Sequence, residues 1–350
     1  MWRVLAALLM TLTAPAWGGG SSWQIGSPIQ KGRLTIYPVL GGAQAVDPRY
    51  MTLDEGLETG VVKVGEMGTL VAARMVRLPG PAVSGRDAAR VNELALVNHS
   101  DRPLLLLAGE VVSGGKQDRV VSRDRIVPPH SAPVPLGVFC VEPGRWRGLT
   151  TEFAAAKLMA HPELRKQAVV AQDQQKVWDE VASSRRAMAA EAAPAAAGRG
   201  YAAGIVGGVA ATTSYAVTAK DSPVDHKVTE DAGSLLPRLP DDAVGMVVAV
   251  NGRVVWADVF PTSALFRRYR TKLLQSYVVE SYRTAASGDT KLPTADVQNF
   301  LRPLGGRQNI EVEPDLYRLV RSEAEGLVTF ELESLSEKGT PRLHFARMVK

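Results

Sequence analysis

An α+β fold is predicted by three features of the 350-residue sequence. Between Glu66 and Gly144, short apolar runs alternate with Asn, Asp, Gly, Ser and Pro turns, which is the pattern of strands in a sandwich or barrel. After Trp146 the chain becomes rich in Ala, Gln, Glu and Lys with helix-spaced apolar positions. Two further apolar runs meet at Asn251-Gly252, a hairpin signal because both turn positions favour positive φ. The expected architecture is a β-rich, sandwich-like amino-terminal half, a helical middle, and a carboxy-terminal hairpin, helix and strand part packed with it.

Met1-Trp2-Arg3 is followed by about a dozen mainly apolar residues and then by small residues in "APAWGGGSS", the order of a secretory signal. Residues 1–18 are assigned to it, with cleavage after Ala16 or Gly18. The protein is therefore expected to be exported, to the periplasm or outside the cell. A membrane anchor needs about 20 apolar residues. No later segment reaches that length, so no span is expected in the mature chain.

Residues 24–149 are assigned to a β-rich domain and 150–350 to the α+β remainder. "GRLTIYPVLGG" reads as an opening strand, and "YMTLDEGLETG" as a short helix with a Thr52/Glu55 capping box and a stop at Gly60. Strands follow in "TLVAARMVRL", "NELALVNHSDRP", "PLLLLAGEVV", "RVVSRDRIVPP" and "APVPLGVFCVEPG". Leu104 to Leu107 would place apolar groups on both faces of a doubly covered strand.

From "TTEFAAAKLMA" to about Ala190 a helix is expected, and the Ala/Gly-rich stretch around residues 190–235 reads as a mobile insert. In "PTSALFRRYRTKLLQSYVVESYRTAA", Leu265, Phe266, Tyr269, Leu273 and Tyr277 share one helical face, with Arg267, Arg268 and Lys272 on a solvated one. The tail reads as a strand pair around Lys338-Gly339.

Charge excludes some functions. The 41 basic and 36 acidic residues are interspersed, and no RNP or zinc-finger pattern occurs, so no nucleic-acid partner is expected. Cys140 stands alone, which rules out an internal disulfide. His99, His130, His161, His226 and His344 are scattered without metal-ligand spacing. No G-x-S-x-G elbow or dinucleotide fingerprint sits in a suitable context. A P-loop fails because Gly109 is one position early and Gln117 stands where Ser or Thr would hold magnesium. No cofactor is expected.

What remains is "AGEVVSGGKQDR". Glu110 follows directly from the leucine run, and a buried carboxylate needs a counter-charge. Lys116 and Arg119 lie across Gly114-Gly115, which allow the positive-φ backbone that would swing them back. The cluster is either a turn that neutralises itself or a ligand loop in which Lys116, Gln117, Arg119 and backbone N–H groups supply donors.

In the next strand, alternation sets Val134, Leu136, Val138, Cys140 and Glu142 on one face and Phe139 and Val141 on the other. Cys140 is then a small buried hydrophobe or, with a neighbouring cation, a thiolate nucleophile. Glu142, Arg145 and Trp146 leave the strand through Pro143-Gly144.

"LLLLAGEVVSGGKQDR" followed by "CVEPGRW" resembles the signature of the ARG and rhodanese-phosphatase-superfamily-associated protein domain, with looser support from "VGMVVAVNGRVVWADVF" and the helix after it. That family is associated with ADP-ribosylglycohydrolase and rhodanese-phosphatase proteins, an association rather than an activity. The resemblance implies one shared site from Gly109, Glu110, Gly115, Lys116, Gln117, Arg119, Cys140, Glu142, Gly144, Arg145 and Trp146. The expected function is a binding or scaffold role, with a polar pocket for a small anionic or polar ligand or a partner segment. The alternative is an enzyme with Glu110 or Glu142 as general acid or base, Lys116 and Arg119 stabilising negative charge, and Cys140 as nucleophile.

Overall fold

The structure, a computed structural model, describes residues 23–41, 50–66, 92–144, 150–198, 215, 223–284 and 291–350. The signal segment, the strand expected at "TLVAARMVRL", Arg145, Trp146 and the centre of the Ala/Gly-rich stretch lie outside the described residues. The fold is α+β, as the sequence predicts.

Six antiparallel strands form the first unit: β5 (Val62–Glu66), β6 (Glu93–Asn98), β8 (Glu110–Gly114), β9 (Arg119–Val121), β11 (Val134–Cys140) and β12 (Phe153–Met159), in the order β12-β8-β9-β11-β6-β5. This sheet curls until its edges meet at a bridge between Gly65 and Glu152, beside a Lys63–Glu152 ion pair of 2.9 Å. Inside the curl lie Val62, Val64, Leu94, Leu96, Leu136 and Val138, every second residue of β5, β6 and β11 as the period of two requires, together with Val112, Val121 and Phe153. A small sheet of β10 (Arg125–Val127), β7 (Leu104–Leu106) and β4 (Met51–Thr52) packs beside it. The leucine run divides as predicted, with Leu104 and Leu106 in this core and Leu105 and Leu107 in the larger one.

The largest sheet has nine strands. β1 (Gln24–Ile25), β3 (Leu34–Leu40), β13 (Ala243–Val250), β14 (Arg253–Val259), β18 (Arg342–Val349), β17 (Leu327–Ser334), β16 (Tyr317–Ala324) and β15 (Arg307–Glu313) follow one another, and β2 (Ile29–Lys31) also pairs with β3. Asn251 and Gly252, at φ 49° and 72°, make the predicted two-residue hairpin between β13 and β14. β17 and β18 are the expected tail pair.

The helices are α1 (Leu53–Glu58), α2 (Pro162–Lys166), α3 (Gln174–Gly198), α4 (Pro223–Leu235), α5 (Ser263–Tyr282) and α6 (Thr294–Phe300). Thr52 and Glu55 cap α1 reciprocally, as their spacing predicts. α5 buries Leu265, Phe266, Tyr269, Leu273 and Tyr277 between β13 and β12.

Three local expectations are corrected. Phe153–Met159 is a strand, not the start of a helix: the free edge of β8 offers it a ladder, and a bulge at Lys157 (φ 55°) absorbs the extra residues. Pro223–Leu235, assigned by composition to the mobile insert, is a helix that packs Val224, Val228 and Leu235 into the main core. Lys272 is not on a solvated face of α5; it is only 6% exposed.

Candidate functional site

Strand alternation builds one polar corner at one end of the curled sheet. Glu66 follows Val64 by two positions, Arg119 precedes Val121 by two, and Cys140 follows Val138 by two, so all three turn inward above the apolar filling. β9 and β5 are not neighbours, yet the Arg119 guanidinium reaches across the curl to within 3.8 Å of Glu66 Oε1. Cys140 is the register partner of Arg119 on β11.

The turn between β8 and β9 completes the corner. Gly114 (φ 135°) and Gly115 (φ 54°) both need positive φ, and a Cβ on Gly115 would stand 2.4 Å from the Phe153 ring. That close approach folds the turn over the end of the sheet. Asp118 stiffens it, accepting from the Ser113 hydroxyl at 2.8 Å and the Gly114 N–H at 3.0 Å, while its own N–H donates to Glu142 Oε2 at 3.3 Å. The "GGKQDR" and "CVE" segments therefore meet, as the two-motif reading requires.

Gln117 is fully buried in this corner. Arg119 Nη1 donates to its main-chain oxygen at 2.7 Å, but among the described residues Gln117 Nε2 and Arg119 Nε have no hydrogen-bond partner. Lys116 is exposed, and only its main-chain N–H turns inward, to Glu66 Oε1 at 3.4 Å. Burial pushes the Cys140 thiol up to about 11, against the pull of Arg119. Its main chain is held by Gln174, whose side chain accepts from Cys140 N–H at 2.9 Å and donates to Cys140 O at 2.8 Å.

Glu110 is not part of this corner, and its expected pairing with Lys116 or Arg119 is corrected. It begins β8 whereas Gly114 ends it, about 13 Å apart along an extended strand. Its cation is Lys272, at 2.5 Å from Oε1, and the Leu107 N–H donates to Oε2 at 2.7 Å. Lys272 also donates to Asp54 of α1 at 2.6 Å. Burial outweighs these partners and holds the Glu110 carboxyl above its ordinary range. Arg145 and Trp146 lie outside the described residues.

The sequence pattern of the ARG and Rhodanese-Phosphatase-superfamily-associated Protein domain matches residues 22–339. The chain belongs to this family. No curated protein and no solved structure matches the chain. For this member of the ARG and Rhodanese-Phosphatase-superfamily-associated family, the site has to be read from its own geometry.

Sequence reasoning missed Glu66 and Gln174. The first was readable, because Val62, Val64 and Glu66 alternate in "VKVGE"; the second comes from a helix with no local link to Cys140. It also missed a second polar assembly. Arg165 of α2 meets Asp258 with two bonds of 2.8 and 3.0 Å, and His344 bridges Asp124 at 2.5 Å and Asp258 at 3.0 Å.

Tyr277 also donates to Asp258, and the Arg165 guanidinium lies 4.2 Å from the Trp256 ring centre. Despite its burial, the two carboxylates hold His344 charged and push its pKa up to about 9, while Arg165 and His344 keep Asp258 far below the carboxylate range. The four formal charges balance. This assembly ties the loop before β10 to β14, β18, α2 and α5. Among the described residues no group of three His, Cys, Asp or Glu could hold a metal.

Proposed function

We propose that this family member is an exported binding module that receives a small polar or anionic ligand at the Gln117–Arg119 corner. One observation carries the reading: among the described residues a fully buried Gln117 amide nitrogen has no acceptor, beside an Arg119 whose Nε has none there and whose carboxylate partner stands back at 3.8 Å. An unmet buried donor costs about 1–3 kcal/mol. A ligand oxygen accepting from both would remove that cost, and a carboxylate or phosphate suits the planar guanidinium best. Export is inferred from the charge, apolar core and small residues of the opening segment. Amino-terminal sequencing of the exported chain should find it beginning after Ala16 or Gly18.

The enzymatic alternative, with Glu110 or Glu142 as acid or base and Cys140 as nucleophile, is the less supported reading at two of these residues. Glu110 is held at the far end by Lys272, and Cys140 with a pKa near 11 is a thiol at neutral pH. The binding reading is tested by thermal melts with acetate, glutamate, citrate, phosphate and sulfate on the parent protein and on Gln117→Leu. At least one of these anions should raise the melting temperature of the parent and leave the variant unmoved. Equal responses of the two proteins would place the anion elsewhere.

A further inference from the structure

The two edges of the nine-stranded sheet are treated differently. At β1, Gln298 of α6 donates to the Trp23 carbonyl at 2.8 Å and Trp23 packs on Phe345, so that edge is covered. At the other end, among the described residues, β15 has a partner strand only on its β16 side. All seven of its residues are exposed, and Ile310 and Val312, at 49% and 50%, are two of the three large exposed hydrophobics among the described residues. Its only protection is charge: "RQNIEVE" carries Arg307, Glu311, which pairs with Arg123 at 2.7 Å, and Glu313, but no Pro, Gly or Lys, and its register with β16 runs without a bulge.

We propose that β15 is a self-association edge, on which a second copy of this chain adds its own β15 antiparallel to form one continuous sheet through two molecules. The sequence of the strand is complementary to itself. An antiparallel register centred on Ile310 is the only one that pairs all seven residues, and it sets Arg307 against Glu313 twice, Asn309 against Glu311 twice, and Ile310 against its own copy. Gln308 and Val312 oppose each other on the Ile310 face. A two-fold axis through Ile310 makes every contact occur in duplicate, as an isologous dimer requires. The open main-chain groups of β15 supply the affinity and the charged pairs fix the register.

The inference is independent of the ligand corner and is tested by sedimentation velocity over a wide concentration series. The full chain should show a monomer–dimer equilibrium. Arg307→Glu and Glu313→Arg, each of which puts like charges opposite one another twice, should each weaken it by about tenfold or more. The double variant, which swaps both members of each pair, should recover most of the affinity, and Ile310→Lys should leave only monomer. Because these side chains are exposed, melting temperatures equal to the parent's at concentrations too low for association will show that the monomers are intact. A parent chain that sediments only as monomer, single variants that dimerise as well as the parent, or a double variant no better than the singles would each overturn the proposal.

Discussion

Lys272 donates to Glu110 across 2.5 Å of protein interior, joining a helix that packs on the nine-stranded sheet to the first residue of a strand in the curled one. Both side chains are almost fully buried, at 6% and 1% exposure. Removing one partner strands the other charge, and here Lys272→Met would strand Asp54 as well. The expected loss is about 3–5 kcal/mol in urea unfolding. Lys116→Met, at an exposed position, should change stability by less than about 0.5 kcal/mol. Equal effects would contradict the assignment of Lys272 as the counter-charge.

His344 makes stability fall on the alkaline side. Its pKa rises from 6.5 to about 9 on folding, so its contribution is complete below pH 6.5 and disappears as pH climbs through 9. The amount is on the order of 3 kcal/mol. Asp258 acts oppositely: its lowered pKa gives stability that is present above the ordinary carboxylate range and lost only in strong acid. Unfolding free energies between pH 6 and 9.5 should decline in the parent protein and lose most of that slope in His344→Gln.

Gly115→Ala separates backbone strain from collision. A Cβ there meets the Phe153 ring at 2.4 Å, whereas at Gly60, also at positive φ (72°), it meets nothing within 4 Å. Gly60→Ala should cost only the left-handed penalty of about 1–2 kcal/mol. Gly115→Ala should cost about 1–3 kcal/mol more, since the aromatic ring must move. Chemical denaturation of both variants measures the difference.

Those glycines also show how far the sequence could be read. Local chemistry was legible wherever short-range patterns decide it: the Thr52/Glu55 cap, the Asn251-Gly252 turn, and the leucines alternating between two cores. The failures share one cause, long-range competition. Phe153–Met159 has the composition of a helix, but propensity is a weak preference beside a waiting strand edge. Lys272 looked solvated because its partner lies 162 residues away, and nothing near either residue announces the other.

Cys140 should resist thiol reagents in the folded protein. Its side chain is wholly buried and its pKa stands near 11, so both access and the thiolate are lacking at neutral pH. Labelling at pH 7.5 should occur only on unfolding, with a rate that tracks denaturant. Rapid stoichiometric labelling of native protein would revive the nucleophile reading.

The central claim is that the Gln117 amide and the Arg119 guanidinium await a ligand oxygen. The most direct measurement follows the side-chain 15N–1H signals of these two residues, assigned through Gln117→Leu and Arg119→Lys, while the anions that stabilise the protein are added. Both signals should shift together and saturate at one concentration. If the protein binds those anions and neither signal moves, the corner is closed by its own chain and the ligand site lies elsewhere.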